Sequence, residues 1–129
     1  MKKSLFCLIS LFCLSSCMSI GTVKNHSAQI AELKYSFPYT GATFLDQPKN
    51  DLGLANRKYK VFQAFEDGIG LAYPADQYTP VVLVYQPNLL LYDGIIINSK
   101  PSKTFKIIGT YKYQSNDEHW HIVPIISAM

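Results

Sequence analysis

From residue 57 onward, apolar and polar residues alternate in short runs, a pattern typical of half-buried β-strands. Residues 57–65 place aromatic and β-branched side chains on one face and lysines on the other. Asp67 and Gly68 then favour the positive φ angles of a tight turn, and the alternation resumes over residues 69–73. The pattern therefore predicts a β-hairpin that joins 57–65 to 69–73.

Two later segments carry stronger strand signals. Residues 81–85 are apolar at every position, which predicts an interior strand. Residues 103–113 alternate regularly, and Gly109 lies on their apolar side, at a position where a barrel strand is expected to bend. The predicted apolar face of this strand comprises Phe105, Ile107, Tyr111 and Tyr113.

The last segment, residues 119–126, returns to alternation with Trp120 and Ile122 on one side. Pro124 lacks an N–H, so this strand is predicted to end there or to lie at a sheet edge. If the Trp120 ring is buried, its truncation to alanine should cost about 3–5 kcal/mol. If the ring is exposed, Trp120 is a candidate contact residue.

These segments predict the fold class, an all-β domain of about five or six short strands. A small, partly open antiparallel barrel, SH3-like or OB-like, is the first expectation, and a small sandwich is the second. A short edge strand is expected near residues 35–45. Residues 27–34 carry the signals of about one or two helical turns, with Ser27 as the N-cap.

The N-terminal pattern is different, because two lysines precede an apolar run over residues 5–14. A helix of that length rises about 15 Å, half the thickness of a bilayer core, so the run fits the h-region of a secretory signal peptide and not a membrane span. The run ends in Leu14, Ser15, Ser16 and Cys17. This ending resembles the lipobox of bacterial lipoproteins, in which leucine and two small residues precede an obligatory cysteine.

The resemblance implies that diacylglycerol is attached to the Cys17 sulfur and that cleavage between Ser16 and Cys17 makes Cys17 the acylated first residue. Met18 replaces the aspartate that favours inner-membrane retention in such proteins, which implies attachment to the outer membrane. The domain is expected to face the periplasm; the inner membrane and the cell surface are the alternatives. The predicted parts are a cleaved signal peptide (1–16), a lipidated cysteine with a flexible tether (17–30), and a small β-domain (31–129).

Charge excludes one class of partner. The chain has 12 basic and 9 acidic side chains, and two of the lysines leave with the predicted signal peptide. The mature chain is therefore nearly neutral, and binding to nucleic acid through a basic surface is not expected. Membrane contact is expected through the lipid on Cys17.

Asp117, His119 and His121 alternate near the start of the last strand, so their side chains point the same way on an extended chain. Two imidazoles and a carboxylate suit zinc or copper, which makes these residues candidate metal ligands. A solvated strand face explains the same pattern, and no metal or other cofactor is assigned. His26, in the predicted tether, is no obvious further ligand.

No catalytic set is predicted, and the chain is expected not to be an enzyme. The only cysteine of the mature chain would carry lipid, and no serine lies in a Gly-x-Ser-x-Gly turn. Neither His119 nor His121 has an evident serine partner. Glu66 and Asp67 suit a hairpin turn better than acid–base chemistry.

The chain contains nine tyrosines, and tyrosine is enriched at binding surfaces. Most of them fit a core with hydroxyls at its rim. Tyr78 lies in a proline-flanked loop, 74–80, and is with Trp120 the best candidate for a binding contact.

The sequence as a whole predicts a membrane-anchored, non-catalytic bacterial lipoprotein whose β-domain binds or stabilises an envelope protein or assembly. Two alternatives remain. One is a metal-binding or accessory enzyme domain that uses Asp117, His119 and His121. The other is an inhibitor or exclusion lipoprotein.

Overall fold

The computed structural model describes residues 25–129, so the predicted signal peptide, Cys17 and the first part of the predicted tether lie outside the described residues. The helices are α1 (His26–Ser36) and α2 (Leu52–Ala55). The strands are β1 (Ala42–Lys49), β2 (Lys58–Ala64), β3 (Ile69–Pro74), β4 (Val82–Tyr85), β5 (Ile96–Asn98), β6 (Phe105–Gln114) and β7 (Trp120–Ala128). Neither helix in this part of the chain has the length and apolar character needed to cross a membrane.

The seven strands form one open sheet in the order β1-β6-β7-β4-β3-β2-β5. Neighbouring strands are antiparallel except β4 and β7, which are parallel. The predicted all-β, partly open architecture is confirmed. The sheet has seven strands, against the five or six expected. It is also mixed and not antiparallel throughout, because β4 and β7 pair in parallel. These two segments lie far apart in the chain, and strand patterns do not encode such a pairing.

The predicted hairpin is present as β2 and β3. Asp67 and Gly68 in the connecting turn have φ angles of 61° and 71°, as the turn type requires. Tyr59 and Val61 of β2 are completely buried. The β2–β3 prediction succeeded because alternation and turn chemistry are both local properties of the chain.

Both sheet faces are buried at the centre, as the apolar run 81–85 predicts. On the face covered by α2 and by residues 87–95, here called the α2 face, Val82 and Val84 pack with Tyr59. On the opposite face, here called the α1 face, Leu83 and Tyr85 pack with α1. All four residues of β4 are buried.

Two tyrosine hydroxyls tie the helices to this sheet. The Tyr59 hydroxyl donates a hydrogen bond to the Leu54 carbonyl of α2 at 2.9 Å. The Tyr85 hydroxyl donates to the Leu33 carbonyl of α1 at 3.0 Å. Burial raises the pKa of Tyr59 to about 12, so this ring stays neutral over the physiological range.

The prediction of one apolar face along β6 is wrong. The β6–β7 register shifts between Ile107 and Gly109, which marks a bulge. An extra residue inverts the alternation beyond it. Phe105 consequently faces the α2 side, whereas Tyr111 and Tyr113 face the α1 side. Gly109 is required here because a Cβ atom would collide with a backbone carbonyl of β1.

The N-terminal part of the domain also differs from expectation. Helix α1 begins at His26, inside the predicted 17–30 tether, and its N-cap is Asn25, whose side chain accepts a hydrogen bond from the Ala28 N–H at 3.1 Å. Ser27 is not the cap, because its hydroxyl donates to the Asp46 carbonyl of β1 at 2.9 Å. Strand β1 lies at a sheet edge as expected but starts at Ala42, not near residue 35.

The prediction for the last strand is also corrected. Strand β7 continues through Pro124 to Ala128 and lies between β6 and β4. Pro124 is tolerated because β4 pairs only with Ile125 and Ile126. Up to Pro124 the strand has β6 as its one sheet neighbour, so the missing N–H removes no bond to β4.

Candidate functional site

The α1 face carries a groove of about 400 Å³. One side comes from β2, the residues just after it, and β3; the other comes from the end of β6 and the loop that follows. The sheet curls enough to bring these two sides together. The apolar lining residues are Phe62, Phe65, Leu71, Tyr111 and Tyr113.

A stack of rings forms the β6–β7 side of the groove. Tyr113 stacks on Tyr111 with ring centres 6.0 Å apart and on His121 with ring centres 5.2 Å apart. Burial raises the pKa of Tyr111 and of Tyr113 above the ordinary tyrosine value. Both phenols are therefore neutral hydrogen-bonding groups at physiological pH.

A second row of rings forms the β2–β3 side. Phe62 stacks on Tyr73 at a centre-to-centre distance of 5.3 Å, and Tyr73 meets Tyr78 edge-on at 5.1 Å. The candidate residue Tyr78 is exposed at the outer end of this row. It does not line the groove itself but extends the aromatic surface away from it.

The polar lining of the groove is uncharged and consists of Gln63, Gln114, Ser115 and Asn116. A charged ligand would find no opposite charge among these residues. Flat apolar rings combined with amide and hydroxyl groups suit a neutral ligand that offers apolar surfaces and hydrogen-bonding edges.

Of the three residues proposed as metal ligands, Asp117 and His119 lie in the loop between β6 and β7, and His121 lies at the start of β7. The Asp117 carboxylate contacts His119, with Oδ2 and Nδ1 3.0 Å apart. The Ser115 hydroxyl donates to the other Asp117 oxygen, Oδ1, and its oxygen lies 3.1 Å from His121 Nε2. The bonds from the Ser115 hydroxyl and the His119 N–H lower the pKa of Asp117 below its ordinary value.

The structure does not bring the three candidate ligands together. His121 contacts Ser115 and not Asp117. Within residues 25–129 there is no group of three or more histidine, cysteine, aspartate and glutamate side chains that could hold a metal ion. His26 begins α1 and takes no part in this loop. The arrangement is a hydrogen-bond network that stiffens one end of the groove.

Ser115 is a site residue that the sequence analysis missed. The expectation that neither histidine has a serine partner is wrong for His121. A serine nucleophile of the Ser-His-Asp type needs a histidine that a carboxylate orients. Here Asp117 accepts the Ser115 hydrogen bond directly and orients His119 instead. The Ser-x-Asp spacing typical of side chain–backbone turns was the signal available in the sequence.

Trp120 and Ile122, in contrast, lie on the other face of the β6–β7 hairpin, away from the groove. Their exposed fractions are 60% and 69%. The Lys112 ammonium lies 5.0 Å from the centre of the Trp120 ring. Trp120 is therefore a surface residue, and because its ring is exposed it remains a candidate contact residue.

The fold and the groove define a small open-sheet β-domain with two rows of aromatic rings facing one another on one sheet face. Comparisons with protein-family models, curated proteins and solved structures found no match to this chain. The candidate site is therefore defined by its own geometry and chemistry.

Proposed function

We propose that this protein is a membrane-anchored, non-catalytic lipoprotein of the bacterial envelope, whose aromatic groove binds an extended segment of another envelope protein. The lipobox ending at Cys17 supports the anchor. The groove between Phe62 and Tyr113 is the observation that carries the binding role. The lipobox and Met18 support attachment to the outer membrane, and the proposed place of work of the domain is the periplasm.

The size and lining of the groove favour a short, neutral segment. Its volume of about 400 Å³ is at the small end of ligand sites, which suits a few side chains and not a whole domain. Aromatic rings contribute large contact areas at low conformational cost because each has few rotatable bonds. Proline-containing extended segments dock in aromatic-lined grooves. Because they are already extended before binding, they lose little conformational entropy when they bind.

The hydrogen bonds of the β6–β7 loop support binding over catalysis. Asp117 holds Ser115 and His119, and within residues 25–129 the His121 ring contacts Ser115 and no carboxylate that would position it as a base. The same bonds fix the loop that supplies Ser115 and Asn116 to the groove. A fixed loop lowers the entropic cost of binding.

Site-specific photocrosslinking in the native envelope tests the binding role. A photoreactive amino acid at Gln114, in the groove, should yield an adduct with one reproducible envelope protein. The same amino acid at Lys49, at the β1 edge, should not. Tyr113→Ala should lower the affinity for this partner by about 30-fold, the loss expected when an aromatic anchor is removed, and less adduct should form.

Two controls make this test decisive. Ile122→Ala removes an exposed side chain outside the groove and should leave the adduct unchanged, and melting curves should show that Tyr113→Ala remains folded. Equal adducts from Gln114 and Lys49, or a Gln114 adduct that contains only glycan, would contradict the proposal. The identity of the captured protein separates a stabilising role from inhibition or exclusion.

The anchor is tested separately. Cys17→Ser should abolish labelling by radioactive palmitate and leave an uncleaved precursor. Normal processing of this variant would show that an ordinary signal peptidase acts on the chain. Because the groove lies entirely within residues 25–129, the crosslinking result does not depend on this outcome.

A further inference from the structure

A second depression, of about 290 Å³, is chemically unlike the aromatic groove. It lies between the residues after β4, strand β5 and the paired ends of β6 and β7. Its apolar lining consists of Leu89, Ile97, Phe105 and Ala128. Lys100 and Lys103 also line it, so this apolar slot has a cationic rim.

The rim lysines are held side by side by the backbone. The Lys103 N–H donates to the Lys100 carbonyl at 2.9 Å, and the Lys100 N–H donates to the Lys103 carbonyl at 3.2 Å. Residues paired in this way carry their side chains on the same side. The one ion pair within residues 25–129 joins Asp117 and His119, so neither rim lysine has a carboxylate partner there.

The floor of the slot is part of the core and is therefore rigid. Phe105 and Ile97 are buried in the α2-face cluster. The Gln86 side-chain oxygen accepts hydrogen bonds from the Ala128 N–H at 2.9 Å and from the Ser127 hydroxyl at 3.3 Å. These bonds satisfy polar groups at the edge of the floor and leave an aliphatic surface toward the opening.

Apolar side chains also project into solvent beside the slot. Leu90 follows the lining residue Leu89 and is 82% exposed. Tyr92, in the same segment, is exposed as well. Exposed leucine and tyrosine next to lysines are residue types that enter a membrane interface.

We infer that this end of the domain docks on an anionic phospholipid surface, with Lys100 and Lys103 at the lipid phosphates and the segment around Leu90 inserted among the acyl chains. Charge complementarity selects this occupant, because the two rim cations have no carboxylate partner in residues 25–129 and the slot between them is apolar. A protein partner would have to bring carboxylates and apolar residues in the same arrangement, and it is an outcome of the test below.

The docking fits the geometry of the chain and is independent of what the groove binds. The segment between Cys17 and Asn25 spans at most about 28 Å, so an anchored domain stays within reach of the bilayer surface. The slot lies on the α2 face and the groove on the α1 face. Docking would therefore leave the groove open to the periplasm.

Vesicle flotation tests the inference. The mature chain with Cys17→Ser, which keeps every described residue, should bind vesicles of phosphatidylglycerol mixed with phosphatidylcholine and not vesicles of phosphatidylcholine alone. The double variant Lys100→Gln/Lys103→Gln should bind the anionic vesicles about 30-fold more weakly. Leu90→Asn should weaken binding by about tenfold, because it removes the inserted side chain.

The matched control is Lys34→Gln/Lys49→Gln, which makes the same charge change at exposed lysines of α1 and β1. It should change vesicle binding by no more than about twofold, because salt screens distant charges. Three results would overturn the inference: an equal loss in the control, equal binding to phosphatidylcholine vesicles, or vesicle binding unaffected by the slot variants while a photoreactive group at Leu90 captures a protein. Line broadening of the Leu89 and Leu90 amides by a lipid spin-labelled in its acyl chain would support insertion.

Discussion

The two halves of β7 have similar apolar sequences and opposite environments. In the first half, Trp120 and Ile122 are largely exposed, whereas in the second half Ile125 and Ile126 are completely buried. The first half pairs only with β6, and the second half pairs with both β6 and β4. The second neighbour accompanies burial on both faces, whereas in the first half only Val123, on the α1 face, is buried. Burial along this strand therefore depends on sheet neighbours and on the face, and hydrophobicity alone does not predict it.

The comparison extends to what the two halves do. The buried half contributes to both face clusters and carries the parallel pairing that closes the middle of the sheet. The exposed half forms a two-stranded hairpin end with β6 and supplies His121 to the aromatic stack beside the groove. One strand thus joins a stability-determining segment to a candidate binding segment.

The largest contrast is expected for two isoleucines of the same strand. Ile125→Ala should lower the free energy of unfolding by about 2–5 kcal/mol, because the Ile125 side chain is completely buried and its truncation leaves a cavity in the core. Ile122→Ala, the matched control, should change it by less than about 0.5 kcal/mol. Chemical denaturation measures both values. Similar losses in the two variants would show that the halves do not differ as described.

The second prediction concerns the bulge after which β6 presents its tyrosines to the groove. Gly109→Ala should lower the free energy of unfolding by about 1–3 kcal/mol, because its Cβ collides with the Thr43 carbonyl of β1. Thr110→Ala, at an exposed neighbouring position, is the control and should be close to neutral. Hydrogen exchange should accelerate at the β1 amides in Gly109→Ala alone. Unchanged exchange there would mean that β1 does not approach β6 so closely.

Local features of the fold were predictable, and long-range ones were not. The β2–β3 hairpin follows from alternation around Asp67 and Gly68, and the interior strand β4 follows from an unbroken apolar run. The bulge near Gly109 was only partly visible, because glycine marks a bend without showing which side chains change face. The parallel β4–β7 pair was invisible, because it depends on chain segments that patterns do not connect.

The groove shows the same limit. Its two sides, residues 62–65 and 111–116, lie far apart in the sequence, and Tyr111 and Tyr113 read locally as core residues. Tyr78 was recognised from its proline-flanked loop, but it lies at the outer end of an aromatic row and not in the groove. Ser115 was missed because its partners became apparent only once the hairpin loop brought them together.

A smaller effect is expected at the exposed end of the hairpin. Ser115→Ala should raise the pKa of Asp117 toward its ordinary value of 3.8, because the Ser115 hydroxyl contributes most to lowering it. A carboxyl whose pKa is lowered in the folded state stabilises that state above its ordinary pKa. This contribution is lost as the pH falls through the lowered pKa. Loop stability should therefore depend on pH in the acid range and less so in Ser115→Ala.

Carbon NMR titration of the Asp117 carboxyl measures this shift directly. Asn116→Ala is the control, since Asn116 is not among the groups that lower the Asp117 pKa. An Asp117 pKa that is the same in Ser115→Ala and in the unsubstituted protein would show that the Ser115 bond does not persist in solution. The β6–β7 loop would then be less fixed than the proposed binding role requires.

The smallest effect on stability is expected for the largest side chain of β7. Trp120→Ala should change the free energy of unfolding by less than about 0.5 kcal/mol, because the side chain is 60% exposed and surface substitutions usually have effects of this size. Thermal unfolding should then shift by at most about 3 °C. A loss of about 3–5 kcal/mol, the value for a buried ring, would mean that something covers Trp120 in solution. Repeating the measurement at two protein concentrations would identify that cover, because a second copy of the chain makes the melting temperature concentration-dependent and an intramolecular contact does not.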